Sequence, residues 1–255
     1  MNFYLCRNFF ETMKKWILFL MMIFSVHGFR AFGQTITSRD NRAWLGYITQ
    51  SRISNRLSIW ADAHWVSRSF GILRPGLSYH FNNKYNVVTT LGYAHLWIYP
   101  AAGNKTFRPE HRLWGQTTAS HKYNHFNFSH RLRYDARFRQ KLIADKLQDE
   151  FNFNYRLRYQ FQTKYNLTQQ LSAKQKFYGF FADEVLYNVG KEIKNGNRLD
   201  QNRLSLGAGV SVRHTAVQLG YLNQLVKSAT ANTFAMNHHV QLFVLQNFDL
   251  RKKHP

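Results

Sequence analysis

At 255 residues, with 44% hydrophobic and 16% aromatic content, the chain has room for one large barrel or two small domains. Mean hydropathy is −0.46 and no run of about 18 apolar residues exists, which excludes a helical membrane protein. The net charge of +22 points first to nucleic acid, while only 4 prolines suit a chain of hydrogen-bonded strands.

The first element is an export signal. Met13-Lys14-Lys15 precedes an apolar run from Trp16 to Val26, and Ala31 and Gly33 sit three and one residues before a cut ahead of Gln34. This apolar run is too short to span about 30 Å of bilayer. Residues 1–33 are therefore expected to be cleaved, with residues 1–12 an upstream extension and Met13 a candidate start of translation. Cys6, the only cysteine, leaves with them, so no disulfide or thiolate metal site is expected. Removing Arg7, Lys14, Lys15, Arg30 and Glu11 from 35 basic and 13 acidic residues leaves 31 against 12, a net of +19.

From Asn41 to Phe248 one pattern recurs: apolar residues alternate with polar or basic ones, then a turn follows. Glu150-Phe151-Asn152-Phe153-Asn154-Tyr155-Arg156-Leu157-Arg158-Tyr159 is the clearest instance. A strand sends successive side chains to opposite faces, so each segment has one apolar and one wet face. The alternation predicts strands at 41–52, 55–66, 71–81, 85–98, 109–122, 125–138, 149–162, 166–180, 200–213, 215–226 and 237–248. Short joints fall at Ser54-Asn55, Asn82-Asn83-Lys84, Asn124, Thr163-Lys164 and His214, where asparagine tolerates the left-handed backbone of a tight hairpin. Longer joints fall at 99–108, 139–148, 181–199 and 227–236.

Alternating strands behind an export signal predict an all-β fold, an antiparallel transmembrane β-barrel of the outer membrane. Short turns mark the periplasmic side, so the last strand runs inward to the periplasm, and by parity so does the first. Residues 34–40 then supply a short extra strand, giving twelve strands within a range of ten to twelve. No linker divides the chain, so residues 34–255 form a single domain.

Following the faces separates charge from grease. In 125–138, Phe126, Phe128, Leu132, Tyr134 and Phe138 fall outward, and Arg131, Arg133, Asp135 and Arg137 inward. In 55–66, Leu57, Ile59, Ala61, Ala63 and Trp65 fall outward, and Ser58, Asp62 and His64 inward. An arginine against lipid costs about 2–4 kcal/mol at mid-bilayer, so the arginine rows must face water or one another. Gln169 and Gln175 fall on the outer side of 166–180; near a rim they cost little, and Gln175 is not explained by this scheme. Tyr47, Trp65, Tyr79, Phe81, Tyr93 and Phe248 suit the aromatic girdles of such a barrel.

Several blocks resemble a known family. Pro109-Glu110-His111-Arg112-Leu113-Trp114, Arg131-Leu132-Arg133-Tyr134, Asp149-Glu150-Phe151 and Asp200-Gln201-Asn202-Arg203-Leu204 look like the recurring blocks of the domain-of-unknown-function 2490 family. The resemblance covers roughly residues 40–248. It implies an outer-membrane barrel from a Gram-negative bacterium, and no activity or catalytic residue comes with it.

Catalytic and phosphate-loop motifs are absent. His238-His239 and the His121/His125 pair lack carboxylate company, so neither metal nor cofactor is expected. A lipid-modifying enzyme of phospholipase or deacylase type is the alternative class. However, His125 and Ser129 on one strand stand about 13 Å apart, and Ser129 and His130 point to opposite faces. The sharper constellation is the inward row Arg112, Arg131, Arg133, Arg137, Arg156, Arg158 and Arg203 beside the few acids Glu110, Asp135, Glu150 and Asp62. Arginine's planar fork suits carboxylate or phosphate. A structural or binding role, or limited passage of small anionic solutes through a basic lumen, follows as the expectation. Lys105, Arg108, Lys141, Lys146, Lys191 and Lys194 in the loops suit the phosphates of lipopolysaccharide. Export removes nucleic acid as a partner, and the fold class implies outer-membrane lipid and the barrel-assembly machinery.

Overall fold

A computed structural model describes residues 35–100, 103–167, 175–190, 198–228 and 233–251. The expected export signal lies outside these residues. The chain forms β1 (Thr35–Arg52), β2 (Leu57–Val66), β3 (Phe70–His80), β4 (Val88–Ile98), β5 (Arg108–Tyr123), β6 (Phe126–Ile143), β7 (Lys146–Asn166), β8 (Gln175–Val189), β9 (Leu199–Val212), β10 (Thr215–Lys227) and β11 (Thr233–Asp249). Each strand pairs antiparallel with the next, and β1 closes the barrel against β11.

That closure corrects the expected count. Residues 34–40 add no twelfth strand; from Thr35 onward they extend β1 itself. β1 and β11 run in the same direction and pair parallel, from Thr35 opposite Thr233 to Arg52 opposite Asp249. An odd strand number forces this parallel seam, and closure leaves no open edge. β1 therefore starts at the end that carries the β4–β5, β6–β7 and β8–β9 connections. β11 finishes at the opposite end, beside the β1–β2 and β5–β6 turns.

Two stretches fold differently from the expected segmentation. Residues 139–148 form a continuation of the β6–β7 hairpin, turning on Ala144 and Asp145 alone, both at positive φ (47° and 60°). Thr163-Lys164 is not a joint: β7 runs through it to Asn166, and β8 starts at Gln175 and reaches Val189. Gln175 thereby becomes the first residue of β8, at a barrel end where an outward amide meets water. Gln169 lies outside the described residues. The Asn124 and His214 turns form where the sequence places them, with Asn124 and Arg213 at positive φ.

The outer wall is apolar through its middle. Leu91 (67% exposed), Leu206 (62%), Leu219, Leu113 and Leu132 project outward from five strands. Toward each end this band gives way to rings and imidazoles. Tyr79 packs on Phe81 at one end, and Trp65 donates to Tyr99, which packs on Phe107, at the other. Outward histidines are paired with tyrosines across neighbouring strands: His111 with Tyr93, His130 with Tyr159, His238 with Tyr221. Inside, two small apolar clusters form on Trp114, Ile72, Ala94 and Leu96 and on Trp44, Val66 and Leu222. Glycines make room for the large rings. A Cβ on Gly92 would stand 2.2 Å from the Pro75 carbonyl oxygen and 2.9 Å from Trp114.

Candidate functional site

The remaining interior is polar and surrounds a cavity of about 870 Å³. Strand alternation places its lining, and the barrel wall brings strands distant in sequence to face one another. Arg112, Arg131, Arg133, Arg137, Arg156, Arg158 and Arg203 all line it. Arg74 on β3, Arg139 on β6, Lys164 on β7 and Arg42 on β1 join them.

Most of these cations are paired. Glu110, fully buried, accepts from Arg112 (2.6 Å), Arg137 (2.7 Å) and Arg139 (2.6 Å). Asp135 holds Arg158 at 2.7 Å, and Asp200 holds Arg156 at 2.7 Å. Glu184 bridges Arg131 on β6 (2.9 Å) and Arg203 on β9 (3.1 Å), and Asp62 holds Arg74 at 2.7 Å. Arg203 also reaches across the interior to lie over Trp44 of β1, 5.2 Å from its ring. Such pairs need near-complete satisfaction, because a buried ion stripped of water costs several kcal/mol unless it is compensated.

Compensation is incomplete. Eleven cationic side chains line the cavity, and six carboxylates (Asp40, Asp62, Glu110, Asp135, Glu184 and Asp200) lie on it or in ion pairs with its lining. Arg133, 2% exposed, has no carboxylate within ion-pair distance among the described residues. It donates to the Gln116 side chain through Nε at 3.0 Å and lies over Trp114. Among the described residues Arg131 Nε and Arg158 Nη2 find no acceptor, nor does Gln218 Nε2 on the opposite wall. That wall, β10 and β11, carries neutral amides: Gln218, Gln224, Asn237 and Gln241, all buried. Gln224 accepts from Asn237 (3.2 Å) and donates to Gln201 (2.8 Å), which ties the amide wall to β9. The interior is thus a basic wall facing a neutral hydrogen-bonding wall.

Of the expected acidic partners, Glu110 and Asp135 sit in the arginine wall and Glu150 does not. β7 pairs with β8 only from Tyr155 onward, so the β6–β7 hairpin projects beyond its neighbour. Glu150 stands on that projection, exposed, and pairs with Lys141. Glu184 falls in the expected joint 181–199, so alternation assigns it no face; β8 in fact runs on to Val189, and its inward neighbours Phe180, Ala182 and Leu186 are apolar, which hides the strand. Arg139 fell in an expected loop, and Arg74 sits beside Pro75.

The family profile described as protein of unknown function (DUF2490) matches residues 41–235, most of the barrel. The chain belongs to that family. No curated protein is similar to it. In this DUF2490 barrel, Ser129 lines the interior cavity, while His130 points outward to Tyr159. One serine–histidine contact does form, Ser58 Oγ to His80 Nε2 at 2.7 Å, also touched by Gln50. Ser58 is fully buried there and does not itself line the cavity, although Gln50, which donates to it, does. Among the described residues no three histidine, cysteine or carboxylate side chains gather as metal ligands.

Proposed function

We propose that this DUF2490 chain is an outer-membrane β-barrel whose basic interior binds small anionic solutes and lets them pass to a limited extent. The single observation that carries the reading is Arg133: among the described residues a buried cation with no carboxylate in ion-pair contact, beside guanidinium N–H groups of Arg131 and Arg158 that lack acceptors. An anion seated between them supplies the missing charge and acceptors together.

Membrane placement draws support from the outer wall. A leucine-rich band lies between two zones of tyrosine, tryptophan and histidine, as lipid-exposed barrels require. Closure satisfies the backbone hydrogen bonds that lipid cannot. In this placement the projecting β6–β7 hairpin faces outside, with Lys105 and Lys146 near lipopolysaccharide phosphates, while Arg108 turns inward to the Gln140 carbonyl; β11 ends at the periplasm. Lys191 and Lys194 lie outside the described residues. Delivery to the membrane would use the barrel-assembly machinery after removal of residues 1–33.

Two measurements test this. Cell fractionation with gel mobility before and after boiling tests the membrane barrel; a periplasmic protein of unchanged mobility would overturn it. Planar-bilayer recording under a salt gradient tests the interior. Discrete anion-selective conductance, reduced by Arg133→Gln, is expected. Cation selectivity would sink the anion reading.

A further inference from the structure

At the end of the barrel that carries the projecting hairpin, the register of β6, β7 and β8 sets arginines beside asparagines. Arg139 is opposite Asn152 and Arg137 opposite Asn154 across β6–β7, and Arg156 is opposite Asn188 across β7–β8. These side chains, with Arg108 from β5, enclose a second pocket of about 370 Å³. Its wall shares Arg137, Arg139, Arg156 and Gln201 with the central cavity, so the pocket is an antechamber to it.

The pocket's charges are partly taken. Arg137 and Arg139 pair with Glu110 beneath them, and Arg156 with Asp200. Arg108 has no carboxylate partner among the described residues; its Nε donates to the Gln140 carbonyl. Counting Arg112, which shares Glu110, five guanidiniums stand against two carboxylates, so positive charge at the pocket remains for a ligand.

The amides narrow the ligand class. Asn188 is fully engaged, accepting from Arg156 (3.2 Å) and donating to Asp200 (3.0 Å). The Asn154 side chain donates to Asn188 at 3.5 Å, and its own carbonyl has no donor among the described residues. The Asn152 side chain makes no hydrogen bond among the described residues. Sulfate offers acceptors only and hydrogen phosphate a single O–H, so neither can serve two amide carbonyls while its other oxygens meet the guanidiniums. A ligand with both an anionic group and hydroxyls uses the guanidiniums and the carbonyls together. The volume lies near the low end of small-ligand pockets, about 300–1,000 Å³.

The site is held in place from outside. Asp145, in the β6–β7 turn, accepts from the backbone N–H of Lys105 (2.9 Å) and Thr106 (3.1 Å), and Thr106 Oγ1 donates to the Asp145 carbonyl (2.7 Å). The loop leading to Arg108 is thereby fastened to the hairpin that carries Arg139 and Asn152. Preorganisation of this kind lowers the cost of binding.

We propose that this antechamber is a recognition site for hydroxylated anions, a sugar acid or a sugar phosphate, ahead of the central cavity. The inference rests on the anion-binding reading of the arginine wall, and the test separates the two. Isothermal titration calorimetry on the whole barrel in detergent would use galacturonate, glucose 6-phosphate, glucose and inorganic phosphate. The anionic sugars are expected to bind about ten-fold or more tighter than glucose or phosphate. Galacturonate leading assigns the carboxylate, and glucose 6-phosphate leading assigns the phosphate; either supports the site. Arg108→Gln and Asn152→Leu should each weaken anionic-sugar binding by about ten-fold, whereas Arg133→Gln, which acts on the central cavity, should keep the preference for anionic sugar over phosphate. Heat-modifiable gel mobility establishes that each variant is folded. Phosphate binding as tightly as the sugars, or no binding by either sugar, overturns the proposal. Loss in Arg133→Gln with retention in Arg108→Gln overturns the antechamber while leaving the central anion site standing.

Discussion

The guanidinium of Arg133 lies over the indole of Trp114, 4.8 Å from the ring centroid, and meets the Gln116 amide where its neighbours meet carboxylates. Cation–π contact contributes about 0.5–2 kcal/mol, less than full compensation of a buried charge. Replacing Arg133 with glutamine removes an uncompensated ion, so stability should stay within about 1 kcal/mol of the parent. Anion selectivity should fall, read as a reversal potential moving toward zero under a salt gradient. A variant with unchanged selectivity would place the anion path away from this residue.

Glu110 shows the opposite case. One buried carboxylate holds Arg112, Arg137 and Arg139 across two strands. Glu110→Gln keeps the shape and strips three guanidiniums of their shared charge. Breaking a buried ion cluster from one side costs about 3–5 kcal/mol. The expected result is a lower temperature for the gel-mobility transition, much lower than for Arg133→Gln. Equal transition temperatures in the two variants would contradict the pairing.

These two residues also show how far the sequence reaches. Alternation alone places Glu110, Arg133 and the other arginines on the inner face, because a strand's two-residue period is a local property. Which of them finds a carboxylate is not local. Glu184 meets Arg131 and Arg203 from two other strands, and its own stretch reads as part of the joint 181–199 because Phe180 and Leu186 pack inward and break the alternation. The β6–β7 turn stayed hidden for a related reason. Ala144-Asp145 lacks the glycine or asparagine that marks a left-handed turn, so 139–148 reads as a loop. The parallel seam is a consequence of strand number, which no single segment reveals.

Gly92 supports Trp114 from the neighbouring strand. An alanine methyl there meets the Pro75 carbonyl oxygen at 2.2 Å and the Gly76 Cα at 2.8 Å, both backbone. Backbone cannot swing aside as a side-chain tip can, so Gly92→Ala should cost about 1–3 kcal/mol. At Gly115 the methyl meets only the flexible Leu91 side chain under 3 Å. Gly115→Ala should therefore be the milder change, and comparing the two unfolding midpoints in urea checks it.

Asp145 makes the hairpin clamp sensitive to acid. Its carboxylate accepts the Lys105 and Thr106 N–H groups, which holds its pKa below the ordinary value. A depressed carboxyl contributes stability above its unfolded value, near 3.9, and loses it as pH falls through the lower folded value. Limited trypsin cleavage after Lys105, following brief incubation at each pH and return to neutral, would not report this reversible change. Hydrogen exchange of the Lys105 and Thr106 amides, corrected for intrinsic rates, would. Protection should drop as pH falls below the normal carboxylate range, and Asp145→Ala should lack protection at every pH.

The parallel seam can be tested chemically. Ala43 of β1 is beside Val240 of β11, and adjacent strands stand about 4.8 Å apart, a spacing that a disulfide or short bis-thiol reagent spans. A twelfth strand inserted between them would roughly double the separation and prevent both. The double variant Ala43→Cys, Val240→Cys is expected to cross-link in the folded barrel, because Cys6 is the only native cysteine and lies in the segment expected to be cleaved. Single variants provide the control for Cys6. Shifting one partner to Val244→Cys moves it four residues along β11, about 13 Å at the strand rise, and should abolish the link. Equal cross-linking of both pairs would show that the seam slides or is absent; a link confined to the matched pair fixes both the strand number and the register.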